Sequence, residues 1–381
     1  MESGVSAGGG GVVETGVRAG GDPGAVESGF RASEPAARFL RACRRLPVDR
    51  TPVWFMRQAG RYMPEYRAIR EKHSLLDICR QPELAAQVTL QPVEALGVDA
   101  AILFSDILLP LIPMGADLEM VEGRGPVIHN PLRQPSDLGS LRELQPEQDL
   151  GFVLQAIAIL RRQLPEQVPL IGFAGAPFTL AAYLIEGGGS RDFRRTKRLM
   201  LQQPAAWRAL MEKLARAMGE YLVAQVRAGV QAVQLFDSWV GALGPEDYQA
   251  CAQPYSRQVL KQVAATGVPA IHFGTGTAGL LPAMRQAGGE VIGVDWRTPL
   301  DQAWQTLGPA VGIQGNLEPA ALYAPRPELE ARVLQILAQA GGRPGHIFNL
   351  GHGVLLDTPV EALRSVVEIV HRQQPEPLEA R

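Results

Sequence analysis

From about residue 50 onward, apolar positions fall into short unbroken runs. Each run is closed by a polar or glycine-containing segment and followed by a longer stretch with apolar residues three and four apart. Eight such runs stand out, at 52–56, 100–104, 169–173, 232–236, 269–273, 290–294, 310–313 and 346–350. A run without polar alternation suits a strand buried on both faces, as in a parallel sheet covered by crossover helices. Helical spacing is clearest over 83–96 and 204–228, and a last helix over 359–373 opens after Asp357, Thr358 and Pro359. A short helix through Arg45 is expected before the first run, with Ser33 as its N-cap and Pro35 in its first turn.

Eight strand-helix units predict an α/β fold of one distorted (β/α)8 TIM barrel, in which the chemistry sits at the carboxyl ends of the strands. The competing doubly wound open sheet usually has about five or six strands. The longest departure from the pattern, residues 107–135, reads as an inserted loop or hairpin after the second strand, lying as a lid over the barrel mouth. Residues 1–33 are rich in Gly, Ala, Ser and Val, include the run Gly8 to Gly11, and have no periodicity, so they read as a disordered tail. The expected organisation is therefore a tail over 1–33 and a catalytic barrel over 34–376.

Composition narrows the functions open to such a barrel. With 46% hydrophobic and 20% charged residues the chain reads as a globular protein, and a net charge of -2 argues against nucleic acid as the main partner. No apolar run reaches the length of about 18 residues that spans a bilayer. Glu2, Glu14, Asp22 and Glu27 argue against a secretory or organellar leader. Cys43, Cys79 and Cys251 have neither CxxC nor metal-type spacing, which suits a reducing cytoplasm and supports no cofactor. The six histidines form no metal-ligand pairs, so no metal is expected.

The polar residues just beyond the runs are the candidate chemistry. Arg57 and Arg61 flank the small loop Gln58-Ala59-Gly60, and two guanidiniums so placed suit bidentate binding of carboxylates or phosphates; the alternative is an arginine pair that solvates a loop. Asp106 stands among apolar neighbours, where a carboxylate needs a cationic or N–H partner, or serves only to cap a backbone amide. Tyr183 lies on the helix after the third run, as a polar tip or as core. Ser238, after the fourth run, has no GxSxG context and suits hydrogen bonding better than nucleophilic attack. His352 sits between two glycines that leave its backbone open to close approach, and its titration range suits an acid, base or carboxylate partner. Residues 274–279 (GTGTAG) match GxGxxG, with Asp295 ending the next run. As the fifth of eight units, this loop reads as substrate-facing rather than dinucleotide-binding.

Six stretches together resemble one family. They are PVWFMRQAGRYMPEYR at 52–67, FSDIL at 104–108, GFAGAPFTLAAYLIEGGGS at 172–190, QLFDSW at 234–239, GNL at 315–317 and NLGHGVLLDTP at 349–359. In this order they are similar to the uroporphyrinogen decarboxylase family from about residue 34 to 373; the tail has no counterpart. The resemblance implies a cytoplasmic homodimer without metal or prosthetic group. It also implies removal of the four acetate carboxyls of uroporphyrinogen III, through partly decarboxylated intermediates, to give coproporphyrinogen III. It places Arg57, Arg61 and the backbone of Gln58, Ala59 and Gly60 on substrate carboxylates, and Asp106 on the pyrrole N–H groups. Tyr183 and Ser238 would surround the reacting acetate, and His352 would bind a propionate or acetate. Arg70 is a further basic candidate. Arg57 is the implied proton donor; a guanidinium is a poor acid, so water and a substrate carboxyl compete for the role. Two rivals are weighed beside this reading. Zinc-dependent corrinoid methyltransferases of the same superfamily use His and Cys ligands, and this chain has no HxC motif near a strand end. A non-catalytic tetrapyrrole carrier would retain the binding residues without turnover.

Overall fold

A computed structural model of the chain describes residues 37–373, which fall within one compact unit. The expected tail over 1–33, the N-cap at Ser33 and the barrel end at 374–376 lie outside the described residues.

The fold is α/β, built on a parallel sheet of seven strands. In chain order the strands are β1 (Ala101–Ile102), the hairpin pair β2 (Leu118–Val121) and β3 (Gly125–Ile128), then β4 (Leu170–Gly175), β5 (Ala232–Asp237), β6 (Ala270–Gly274), β7 (Val291–Gly293), β8 (Gly312–Gln314) and β9 (His346–Ile347). The large sheet runs β1-β4-β5-β6-β7-β8-β9 with every neighbour parallel, while β2 and β3 pair antiparallel on their own. All six residues of β4 and all five of β6 are buried, as two-sided coverage by helices demands. Helices occupy Pro82–Leu96, Pro204–Ala228 and Val360–Arg372, within one or two residues of the stretches where the spacing places them. Gln225, on the longest of these, accepts from the Phe173 N–H at 3.0 Å and donates to its carbonyl at 2.9 Å, fixing the helix to β4.

The first expected strand, 52–56, departs from the prediction. It forms one isolated bridge, Val53 with Phe348, instead of a ladder. The cause is that side chains take the place of backbone partners: the Val53 N–H donates to Asp99 Oδ2 at 2.8 Å, and the Met56 N–H donates to Asn349 Oδ1 at 3.0 Å. The segment is nonetheless held on both sides. Phe348 N donates to Pro52 O at 2.9 Å and Asp99 N donates to Val53 O at 2.8 Å. A buried polar relay also joins it to the sheet: Trp54 Nε1 donates to Gln314 Oε1 at 3.0 Å, and Gln314 Nε2 to Gln234 Oε1 at 2.9 Å.

Asp99 is the knot of this corner. Besides Val53 it accepts from Arg38 at 2.6 Å, on the first helix (Arg38–Cys43), and faces His371 at 2.7 Å on the last. Burial pushes its pKa up, but the bonds from His371 and Val53 with the charges of His371 and Arg38 outweigh that, so the carboxyl lies below its ordinary value. Stabilisation from a depressed carboxyl is present above the ordinary range and is lost as pH falls through the folded value. Asp99→Ala is expected to cost about 3 kcal/mol by leaving buried partners unpaired. Urea unfolding at neutral pH checks this, and a loss under about 1 kcal/mol would contradict the assignment. Among the described residues no helix is long and apolar enough to cross a membrane.

Candidate active site at the carboxyl ends of the strands

The site is assembled from loops that leave the carboxyl ends of the strands. Arg57 opens it with a left-handed backbone, φ 59°, which costs a non-glycine residue roughly 1 kcal/mol. The surroundings enforce that conformation. Val354 N donates to Met56 O at 2.9 Å and Gln58 N to Phe55 O at 3.0 Å, while Asn349 holds the Met56 N–H. The Arg57 stem runs across Gly353, where a Cβ would stand 2.4 Å from Cδ and 3.1 Å from Cβ of the arginine. The guanidinium itself is exposed and has no hydrogen bond or ion pair among the described residues.

Gln58 is buried and internally satisfied. Its N–H bonds Phe55, its carbonyl accepts from Tyr62 Oη at 2.5 Å, and its side chain bonds Phe55 N and Ala100 O, each at 3.1 Å. The N–H groups of Ala59 and Gly60, by contrast, have no acceptor among the described residues. Arg61 is half-buried, its guanidinium has no partner among the described residues, and its carbonyl accepts from Arg67 at 2.9 Å. Arg70 ends the helix Pro64–Arg70 and donates to His73 O at 2.6 Å, which ties it to its own loop.

Asp106 follows β1 and accepts from Leu108 N at 2.8 Å, a local turn that fixes one carboxylate oxygen. Burial raises its pKa against that bond and against the positive charge of Arg57. Part of its surface still meets the cleft, so the desolvation comes from surrounding protein rather than complete enclosure. Tyr183 lies on the helix Pro177–Glu186, which follows β4. Burial, then the Asp106 charge, pushes its hydroxyl up to about 12, against the pull of Arg57. His352 is pushed down to about 4, chiefly by burial and then by Arg57, so it is neutral at pH 7. Arg57 thus acts electrostatically on Asp106, Tyr183 and His352, and the four form one group. Phe173, Phe236 and Phe273 stack edge to face beside it, with the Phe273 ring 6.4 Å from that of His352, so an aromatic cluster backs the group.

Ser238 enters through its neighbour. Trp239 stacks on Tyr183 at 3.8 Å and 28°, and the Ser238 carbonyl accepts from Thr275 Oγ1 at 2.5 Å. Behind them the buried Asp237 accepts from Thr179 at 3.1 Å and from Ser256 at 3.3 Å, and Thr179 Oγ1 in turn accepts from Trp239 N at 3.3 Å. The glycine loop after β6 is also resolved: Gly276 N donates to Asp295 Oδ2 at 2.6 Å, so that acid braces the loop rather than awaiting a ribose. Trp239, Asn349 and Gly353 were missed as site residues. Each stands in a motif stretch or at a strand end, but their roles depend on long-range contacts. Among the described residues no three His, Cys, Asp or Glu side chains gather as a metal site. A surface concavity lined by Arg38, Arg50, Asp99 and Val168 shares no residue with this group.

This is an α/β protein whose polar groups gather at the carboxyl ends of a parallel sheet. Comparisons narrow the class further. The chain belongs to the uroporphyrinogen decarboxylase family, whose model matches residues 34–373. Curated relatives named uroporphyrinogen decarboxylase include one from Sorangium cellulosum, 59% identical over 88% of this chain and 95% of the relative. Another, from Solibacter usitatus, is 54% identical over 91% and 100%. A third, from Carboxydothermus hydrogenoformans, is 56% identical over 87% and 95%. Among solved structures, a methyltransferase from Methanosarcina mazei matches with TM-score 0.73 at 20% identity, covering 88% of this chain and 97% of that one, a likeness of fold alone.

Proposed function

We propose that the protein is a carboxy-lyase that converts uroporphyrinogen III to coproporphyrinogen III, losing four CO2. What supports this beyond family membership is a strand-end loop whose Arg57 and Arg61 guanidiniums and Ala59 and Gly60 N–H groups have no partner among the described residues, with the Arg57 charge felt by Asp106, Tyr183 and His352. In each round a proton adds to the ring carbon beside an acetate, and the resulting pyrrole cation accepts the electron pair as the acetate C–C bond breaks and CO2 leaves. A second proton adds to the exocyclic methylene and the ring proton departs, so the net change is one proton taken up and one methyl formed. The substrate supplies its own electron sink.

The residues have matching tasks. Asp106 accepts from the pyrrole N–H groups and stabilises the ring cation in a water-poor cleft, where a preorganised charge has most effect. Arg57, Arg61 and the free N–H groups of Ala59 and Gly60 hold carboxylates, while Gln58 positions that loop from beneath. Tyr183 and Ser238 border the reacting acetate, and neutral His352 binds a side-chain carboxyl. Arg57 fixes the reacting group, and the first proton comes from it or from an adjacent water or substrate carboxyl. The reaction uses no metal or prosthetic group.

We infer further that the sheet is a closed (β/α)8 barrel within the described residues 37–373, with residues 52–56 as the eighth stave. Support comes from the bonds of that segment to Asp99 on one side and Phe348 on the other. The β2–β3 hairpin is the inserted element at the mouth; Ile128 N donates at 2.9 Å to Gly187 O, which ends the Tyr183 helix. A cytoplasmic homodimer belongs to the same reading.

Anaerobic incubation with uroporphyrinogen III, followed by chromatography of the oxidised porphyrins, is the test. Hepta- to tetracarboxylate products are expected. Binding without CO2 release would replace catalysis with a carrier role.

A further inference from the structure

The loop after β7 holds a cation that the motif set does not include. Asp295, 1% exposed, accepts from Arg297 twice, from the backbone N–H at 3.0 Å and from Nη1 at 2.6 Å. The Arg297 guanidinium lies over the Trp296 indole, with Cζ 4.0 Å from the ring centroid. The turn beneath is rigid, because Asn316 Nδ2 donates to the Asp295 carbonyl at 2.8 Å and the Thr298 carbonyl at 2.6 Å. Trp296 also presses on the His352 loop: a Cβ on Gly351 would stand 2.4 Å from Trp296 N. Yet 55% of the Arg297 side-chain surface is exposed, and its Nε and Nη2 have no acceptor among the described residues.

A guanidinium tethered by one edge, stacked on one face and left with a free donor edge is held as an anion receptor. A surface arginine kept only for solubility needs neither the buried acid nor the indole. Because Trp296 packs on Gly351, the loop borders the turn that carries His352, and His352 feels Asp295 and Arg297 as well as Arg57. We propose that Arg297 binds a carboxylate of the substrate beside His352, a second anchor that keeps the macrocycle from pivoting about the Gln58–Arg61 loop. This rests on the decarboxylase reading.

The test compares wild type, Arg297→Ala and Arg297→Gln in the uroporphyrinogen III assay, with equilibrium binding of the porphyrinogen and thermal melting measured alongside. The alanine variant is expected to raise KM and the dissociation constant about tenfold, the worth of one partly exposed charge-assisted contact, with kcat reduced less than about threefold. The glutamine variant keeps the volume and is expected to match it, with melting near that of wild type. Affinity within about twofold of wild type in both variants overturns the inference, as does a loss of kcat and melting temperature with KM unmoved. Wild-type turnover in the same assay reports separately on the decarboxylase reading. If wild type binds but does not turn over, the binding arm still decides the role of Arg297.

Discussion

Asp106→Asn is expected to lower kcat for uroporphyrinogen III by two to three orders of magnitude, while porphyrinogen binding weakens by less than about tenfold. The amide is isosteric and keeps an oxygen to accept from Leu108 N and from pyrrole N–H groups, so the local turn and much of the ground-state contact survive. What it lacks is the charge, which has its greatest effect when the ring is protonated. Burial raises the Asp106 pKa, the bond from Leu108 N and the Arg57 charge only moderate the shift, and no ion pair to Asp106 forms among the described residues. The free site is therefore poised for a cation that the reaction itself creates. The sign for pH follows. In the proposed mechanism activity needs the ionised form, and burial raises the Asp106 pKa above the ordinary carboxyl value, so the acid limb of kcat/KM is expected above that value and is expected to vanish in the asparagine variant. A variant with kcat within tenfold of wild type would remove Asp106 from the chemistry.

Much of the scaffold was legible because parallel strands buried on both faces leave an unbroken apolar signature, and seven of the eight runs are strands of one sheet. The exception, 52–56, carries the same signature yet forms a single bridge, since periodicity cannot reveal that Asp99 and Asn349 side chains will take its N–H groups. The site was legible to a different degree. Arg57, Asp106, Tyr183 and His352 were singled out from strand ends and motif resemblance, and in the structure the Arg57 charge bears on the other three. Gln58 shows the limit: it stands inside the motif, but its N–H and carbonyl are both consumed by Phe55 and Tyr62. Trp239 and Arg297 stand at strand ends, but their contacts were not legible there, because one acts by stacking on a side chain of a helix and the other by a tether within its own turn.

Gly353→Ala is expected to lower kcat/KM about a hundredfold, although residue 353 need not touch substrate. The added methyl would overlap Arg57 Cδ at 2.4 Å and Cγ at 2.7 Å and crowd its Cβ at 3.1 Å, so the stem must swing as a whole and not only at its tip. Arg57 has little freedom to absorb this, since its backbone is already held in the left-handed region by Val354, Asn349 and Gln58. A displacement of about 1 Å is enough to misplace a charge that must meet a carboxylate and act on Asp106 and His352 together. The double variant separates this route from general damage. If Gly353→Ala acts through Arg57, then adding it to Arg57→Ala, where Cγ and Cδ are gone, should cost almost nothing more in kcat/KM. Multiplying losses would mean that the alanine injures the His352 loop directly, and the contact between stem and glycine would then be packing without consequence for the reaction.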